Sequence, residues 1–226
     1  MYGMVGMSRD EIAAQLEFYR EIGISHLDVG QATPSKPLIE TRMTLDDIRE
    51  DLGDCSRCKL SGSRTTIVFG SGNPDAKLMF IGEAPGSEED RQGLPFVGRA
   101  GQLLTKIIES IGFQRDDIYI CNVLKCRPPK NRNPEADEVE TCSPFLRQQL
   151  EAVRPQIVCC LGTFAAQTML GMKVPISKLR GRFHDIEGIR FIATFHPAYL
   201  LRNPAKKREV WNDMKQIRAA LDGPAV

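Results

Sequence analysis

Residues 77–101 read KLMFIGEAPGSEEDRQGLPFVGRAG, and this stretch decides the fold. The apolar run 78–81 is too short for a helix and is bounded by Gly82, so we predict a buried strand. A Gly/Pro turn and then a helical pattern follow, which is where open α/β sheets bind ligands. The turn also crowds the carboxylates of Glu83, Glu88, Glu89 and Asp90. The alternative is an ordinary strand-to-helix loop whose acids are solvated.

Three more apolar runs, at 118–124, 157–161 and 190–195, alternate with helical patterns at about 100–111, 134–153 and 163–170. This alternation predicts a three-layer α/β/α sandwich with a central four-stranded, mostly parallel sheet. A shorter helix is predicted from Thr44 to Leu52. Because proline is tolerated at a first helical position and not inside a helix, Ser143-Pro144 predicts a restart of the long helix, with Cys142 at the junction.

The chain has 226 residues, 42% of them hydrophobic, and a net charge of +1. It contains no run of 18 apolar residues and begins without the pattern of a signal peptide, so we expect a cytoplasmic protein that does not enter a membrane. Residues 1–43 contain a predicted helix at 8–22 and a Pro/Gly-containing linker, which indicates an N-terminal extension. Residues 44–226 are then the main domain.

Four of the seven cysteines form a candidate metal site. Cys55 and Cys58 have the C-x2-C spacing that brings two sulfurs to one side of a turn, and Cys126 and Cys142 lie beside proline-marked turns. Four thiolates suit a structural zinc ion equally well by ligand type. The remaining three lie inside predicted strands and are interpreted as core residues: Cys121, Cys159 and Cys160.

Polar residues follow all four predicted strands. Glu83 follows the first, Asn122 ends the second, Gly162-Thr163 follows the third, and His196 follows the fourth. A single histidine or asparagine is more often structural, but four convergent strand ends favour a binding site.

Two purely basic stretches suit a phosphate backbone, although either alone is explained equally well by solubility. They contain Lys125, Arg127, Lys130 and Arg132, and then Arg202, Lys206, Lys207 and Arg208.

Several of these motifs together resemble the iron–sulfur uracil-DNA glycosylases, family 4 of their superfamily. They are GEAPGSEED (82–90), GLPFVGRAG (93–101), KCRPPKNR (125–132) and HPAYLLRNP (196–204), and the resemblance covers about residues 44–220. It implies that the protein flips uracil out of DNA and hydrolyses its N-glycosidic bond, leaving an abasic site. It also implies a [4Fe–4S] cluster held by Cys55, Cys58, Cys126 and Cys142.

The resemblance assigns roles around the flipped base. Asn122 would read the N3–H and O4 of uracil, and Phe96 would stack on the ring. Glu89 would exclude the thymine methyl group, and His196 would stabilise the departing anion at O2. Glu83 is the candidate for positioning water, helped by backbone N–H groups near Glu83 and Ala84, because the best-known uracil glycosylases have an aspartate where Ala84 stands.

The resemblance also implies a DNA interface on a protein that we expect to be a monomer. Leu200 or Leu201, in a proline-flanked loop after His196, would fill the gap left by the flipped base. Phosphates would be held by Lys125, Arg127, Lys130, Arg132, Arg202 and the helix start at Gly162-Thr163. Two alternatives remain: a relative that traps uracil-DNA covalently, whose GEQPG motif and KRRIH-like insertion this chain lacks, and a non-enzymatic zinc module that binds nucleic acid.

Overall fold

The computed structural model describes residues 43–223, which lie within one compact unit, Arg42–Val226. The predicted helix 8–22 and its linker lie outside the described residues, so the division of the chain at residue 43 stays a prediction. In chain order, the elements are α1 (Leu45–Leu52), β1 (Ser71–Gly72), β2 (Leu78–Gly82), α2 (Ser87–Gln92), α3 (Arg99–Ser110), β3 (Tyr119–Asn122), α4 (Ala136–Val153), β4 (Ile157–Leu161), α5 (Gly162–Leu170), α6 (Ile176–Leu179), β5 (Phe183–Ile186), β6 (Ile189–Thr194), α7 (Pro197–Arg202) and α8 (Lys207–Asp222). Within the described part of the chain, no helix is long and apolar enough to cross a membrane.

The strands form one sheet in the order β1-β3-β2-β4-β6-β5. The four central strands are parallel, and the edge strands β1 and β5 are antiparallel to their neighbours. The predicted α/β class and the four central strands are confirmed, but the predicted number of strands is wrong, because the sheet has six. The edge strands were missed because β1 has only two residues and β5 is partly exposed along its length, so neither gives a continuous apolar run.

Helices cover both faces of the sheet. Successive side chains of a strand point to opposite faces, so Met79 and Ile81 pack in the apolar cluster that includes α4 and α5. Leu78 and Phe80 pack in the cluster that includes α3 and α8. All five residues of β2 are buried, as expected for a central strand of a parallel sheet.

The strand order places a topological switch point beside β2. The chain passes from β2 to β3 on one side and then returns to β4 and β6 on the other side. Gly82 lies opposite Asn122 in the register of β2 and β3, so both strands end at the same level. Crevices at such points, beyond the carboxyl ends of the strands, are the usual ligand sites of open α/β sheets.

Two local predictions need correction. Helix α4 continues through Pro144, so Cys142 lies inside a helix and not at a junction. The helix keeps its course because buried side chains after the proline, including Phe145 and Leu146, hold it against the core. The segment after His196 is the short helix α7 and not a loop. The core assignment of Cys121, Cys159 and Cys160 is confirmed, because each is at most 1% exposed.

Candidate functional site

A cavity of about 460 Å³ lies at the carboxyl ends of the central strands. All six residues that the sequence assigned to the base-binding site line it together, with two of the arginines predicted to hold phosphates. They are Glu83, Ala84, Glu89, Phe96, Asn122, Arg132, His196 and Arg202. The structure therefore brings side chains from three of the four strand ends into one space.

Asn122 presents an unused hydrogen-bond acceptor to this cavity. It is the last residue of β3 and is 1% exposed. Its Oδ1 is buried and accepts no hydrogen bond from the described residues. Because a buried polar atom without a partner costs about 1–3 kcal/mol, the position is explained best by a ligand that donates a hydrogen bond there.

Gly82 makes room for the Asn122 amide beside the Phe96 ring. A Cβ added at Gly82 would lie 2.5 Å from Phe96 Cζ and closer still to Asn122 Oδ1. The absence of a side chain at Gly82 therefore lets the amide and the ring approach each other. A flat ring stacked on Phe96 would bring its edge to the amide.

Phe96 is held in an unusual backbone conformation. Its φ of 51° lies in the left-handed region, and its ring centroid is 5.6 Å from that of His196. The carboxylate of Glu89 accepts hydrogen bonds from the N–H groups of Val97 and Gly98, both at 2.9 Å. Glu89 thus lines the cavity and also fixes the loop that carries the aromatic ring.

His196 is held as a neutral hydrogen-bond donor. It caps the N-terminus of α7, where its Nδ1 accepts a hydrogen bond from the N–H of Ala198 at 3.1 Å. The neutral ring therefore carries its proton on Nε2. Burial, with a smaller effect from the nearby Arg202 charge, lowers the pKa of His196 to about 4, so the ring is uncharged near neutral pH.

Glu83 and Ala84 follow β2 directly and are half-buried at the cavity wall. Burial raises the pKa of the Glu83 carboxyl above its ordinary value. A carboxyl group whose charged form is desolvated is a candidate for proton transfer or for orienting water.

The two leucines of α7 differ in their surroundings. Leu200 is 1% exposed and packs in the cluster of α3 and α8, so it does not reach a partner surface. The prediction that Leu200 enters DNA is therefore wrong for this conformation. Leu201 is 40% exposed, so its role as a wedge in DNA stays a prediction.

The residues of the first basic stretch, at 125–132, differ in their exposure and in their hydrogen-bond partners. Lys125 is fully buried, so the prediction that it holds a phosphate is wrong for this conformation. The guanidinium of Arg132 forms a salt bridge with the buried carboxylate of Glu138 at 2.5 Å, which partly neutralises its charge. Lys130 is exposed, and Arg127 donates from Nε to Asn131 at 2.8 Å.

Helix α5 begins at Gly162 beside the site. A Cβ added at Gly162 would lie 3.0 Å from the Cβ of His196, so the helix start packs against the histidine. Neither Gly162 nor the exposed Thr163 lines the cavity.

The four candidate ligand cysteines lie near one another. Burial raises the pKa of Cys126 to about 11, with smaller contributions from the nearby thiols of Cys142 and Cys58. Burial also raises the pKa of Cys142, with further contributions from Cys58 and Cys55. Two N–H donors approach the sulfurs, from the Arg64 guanidinium to Cys126 at 3.7 Å and from the Lys125 backbone to Cys142 at 3.3 Å. Among the described residues, no group of three or more His, Cys, Asp or Glu side chains meets the requirements of a site for a metal ion.

The sequence reasoning missed several residues of the cavity wall. Pro128 and Asn131 come from the loop after β3, and Ala198 and Tyr199 come from α7. Asn131 has a φ of 55° and lies within KCRPPKNR, where the basic residues and Cys126 give the stronger signal in the sequence. Its conformation, which asparagine tolerates better than most residues, depends on the tight turn and is not visible in the sequence.

Comparisons with known proteins agree on one family. The profile of the uracil DNA glycosylase superfamily matches residues 69–215. The chain is 45% identical to a type-4 uracil-DNA glycosylase of Archaeoglobus fulgidus, over 77% of this chain and 92% of that protein. It is 44% identical to the type-4 enzyme of Thermotoga maritima, over 78% and 94%, and 42% identical to that of Saccharolobus solfataricus, over 80% and 88%.

Proposed function

Because the chain belongs to the uracil-DNA glycosylase superfamily, we propose that it excises uracil from DNA, as its type-4 relatives are named for doing. The enzyme hydrolyses the bond between N1 of uracil and C1′ of deoxyribose and leaves an abasic site in base excision repair. The observation that carries this proposal is the unpartnered Oδ1 of Asn122, which faces a cavity shared with Phe96 and His196.

Asn122 recognises the edge of the flipped base. Uracil presents an N3–H donor beside the O4 acceptor, and one amide satisfies both through its own oxygen and N–H group. Cytosine reverses this pattern, so a fixed amide rejects it, and a bidentate contact of this kind discriminates by roughly 1–3 kcal/mol. Phe96 supports the ring from one face.

His196 stabilises the leaving group. As the C1′–N1 bond breaks, its electron pair moves onto the uracil ring and charge grows on O2. The Nε2–H of the neutral imidazole donates to that oxygen, and a preorganised donor in a buried site is most effective where charge develops. Water adds to C1′ and loses a proton, and uracil leaves as an anion that is later protonated.

Glu83 is our candidate for orienting the attacking water, since Ala84 offers no carboxylate at the next position. Its half-buried carboxyl lines the same cavity, and its charged form would also stabilise the positive charge that develops on the sugar. Glu89 limits the space beside C5 of the ring and so disfavours thymine. The fixed geometry of its carboxylate on Val97 and Gly98 supports that role.

DNA would lie across the open side of the cavity. Leu201 would fill the gap left by the flipped base, and Arg202 would hold a nearby phosphate. Arg127 and Lys130 would extend the phosphate contacts, and the α5 start at Gly162-Thr163 would add backbone N–H donors. The monomeric state and the cytoplasmic location stay predictions.

A [4Fe–4S] cluster held by Cys55, Cys58, Cys126 and Cys142 is the proposed cofactor. The four thiols lie near enough to shift one another's pKa, and four cysteine thiolates are the usual ligands of such a cluster. The nearby N–H donors of Arg64 and Lys125 suit sulfurs that carry negative charge. A bound cluster would tie the segment after α1, which carries Cys55 and Cys58, and helix α4, which carries Cys142, to the loop after β3.

The experiment is a uracil-excision assay under single-turnover conditions with uracil in single strands, U·G pairs and U·A pairs. The wild-type protein should release free uracil and leave abasic sites. Because His196→Ala removes the donor to O2, its rate should fall on the order of 10²–10³-fold while the affinity for DNA changes little. Excision by this variant at the wild-type rate would contradict the role of His196.

A denaturing gel of the same reactions separates the proposed enzyme from a covalent trap. A protein band that stays attached to the DNA would indicate a trap. Its absence, together with free uracil, supports hydrolysis.

A further inference from the structure

The side chain of Lys125 is buried completely, at 0% exposure. Burying an ammonium group costs free energy unless hydrogen bonds replace its hydration. A lysine whose task was to hold phosphates would extend into solvent. The position of Lys125 therefore calls for a different explanation.

Two neutral groups replace the water around the ammonium. Lys125 Nζ donates to the backbone carbonyl of Asn122 at 2.8 Å and to Oε1 of Gln149 at 2.6 Å. Gln149 in turn donates from Nε2 to the carbonyl of Phe69 at 2.9 Å and lies 3.2 Å from the Tyr119 hydroxyl. Hydrogen bonds from a charged donor are roughly twice as strong as neutral ones, so the carbonyl of Asn122 is held firmly.

The backbone of Lys125 is anchored as well. Its N–H donates to Sγ of Cys142 at 3.3 Å, and its carbonyl accepts from the N–H of Val68 at 2.8 Å. The backbone of Lys125 is therefore fixed near the cysteine site, and its ammonium group is fixed beneath Asn122. The peptide between Asn122 and Val123 is thus held on both sides, by Lys125 at its carbonyl and by the Gly82 carbonyl at the N–H of Val123, 2.9 Å away.

We infer that Lys125 is a positioning residue that fixes the Asn122 amide for uracil recognition by holding the Asn122 carbonyl from beneath. The inference rests on the proposed function of the cavity. Because a two-point contact needs both hydrogen bonds aligned at once, a small rotation at Asn122 would weaken uracil binding measurably.

The test compares Lys125→Met with Gln149→Leu, using free uracil as the probe. Lys125→Met removes the donor to Asn122, so inhibition of excision by free uracil should weaken by about tenfold or more. Gln149→Leu keeps the contact between Lys125 and Asn122, so inhibition should stay within about twofold of wild type. Affinity for DNA that contains an abasic site should be unchanged in both variants, which separates uracil recognition from DNA binding.

A double variant, Lys125→Met with Gln149→Leu, keeps the test valid if Lys125→Met folds poorly. The double variant removes the buried ammonium together with its Gln149 acceptor, which costs less than leaving either one unpaired, although the carbonyls of Asn122 and Phe69 each lose a donor. It should therefore fold, with a melting temperature below that of the wild type, and still bind uracil weakly. Wild-type inhibition by uracil in a folded variant without Lys125 would overturn the inference. A wild-type protein that excises no uracil would instead overturn the proposed function.

Discussion

The imidazole of His196 acts as a donor because of its place in the chain. Pro197 opens α7 directly after it, so the ring caps that helix through Nδ1, and only Nε2 remains for the cavity. The sequence predicted the histidine and its position after a strand. The tautomer was not predictable, because it depends on the N–H of Ala198 turning back toward the ring in the folded chain.

The titration of His196 checks directly whether its imidazole is buried and neutral. Burial lowers the pKa of the folded-state imidazole to about 4 from an ordinary value of 6.5. Between these values the unfolded chain binds the proton more readily than the folded chain does. The contribution of His196 to stability is therefore complete above pH 6.5 and is lost as the pH falls toward 4.

Nuclear magnetic resonance of the labelled imidazole measures this pKa. We expect no change of protonation state at His196 between pH 6 and 8, and titration near pH 4. A midpoint close to 6.5 would mean that the ring is solvated and not held in the buried cavity.

At the scale of elements, the end of β2 shapes the cavity. Gly82 closes the strand opposite Asn122, and the loop after α2 returns Phe96 over it. Glu89 and Arg115 hold that loop, the first through Val97 and Gly98 and the second through the carbonyl of Pro95. The strand and its turn were predicted from residues 78–86, but these contacts depend on residues far apart in sequence.

Gly82→Ala tests this geometry. The added methyl group would overlap the positions of the Asn122 amide and the Phe96 ring, so one of them must move. We expect single-turnover uracil excision to fall by about 10²-fold, as for other small displacements in a reacting site. Gly62→Ala is the matched control, because a Cβ there meets nothing within 4 Å. Equal activity in the two variants would contradict the close approach.

The sequence predicted elements well where the signal was local. The apolar runs of the central strands are continuous because both faces of a parallel sheet are buried. The course of α4 through Pro144 was predicted wrongly, because packing against the core overrides the local preference of proline. The choice between Leu200 and Leu201 could not be made from the sequence, because the burial of Leu200 depends on its packing against α3 and α8. Lys125 was predicted to be a surface cation because the sequence shows its charge but does not show its partners in the fold, Asn122 and Gln149.

At the scale of the whole molecule, the cavity at the carboxyl ends of the strands and the four cysteines are close in the chain. Cys126 follows β3 by four residues, so the cysteine site and the Asn122 end of that strand are joined by a short segment. Because the segment after α1, helix α4 and the segment after β3 all contribute thiols, a bound cluster would tie these three parts of the chain together.

The metal content of the purified protein tests that view. We expect about four iron and four sulfide per chain and a brown colour, with a lower melting temperature after the iron is removed. Cys160→Ala is a matched control for Cys142→Ala, because Cys160 is a buried core residue. It should retain its iron, whereas the Cys142 variant should lose most of it. A colourless protein that contains zinc would contradict the cluster.

The central claim is that one cavity grips uracil by Asn122 and donates to it from His196, and a crystal structure of the protein with free uracil measures this directly. We predict that N3–H of uracil donates to Asn122 Oδ1, that O2 accepts from His196 Nε2, and that the ring stacks on Phe96. Uracil bound elsewhere, or bound in the cavity with its N3–H edge turned away from Asn122, would contradict the account.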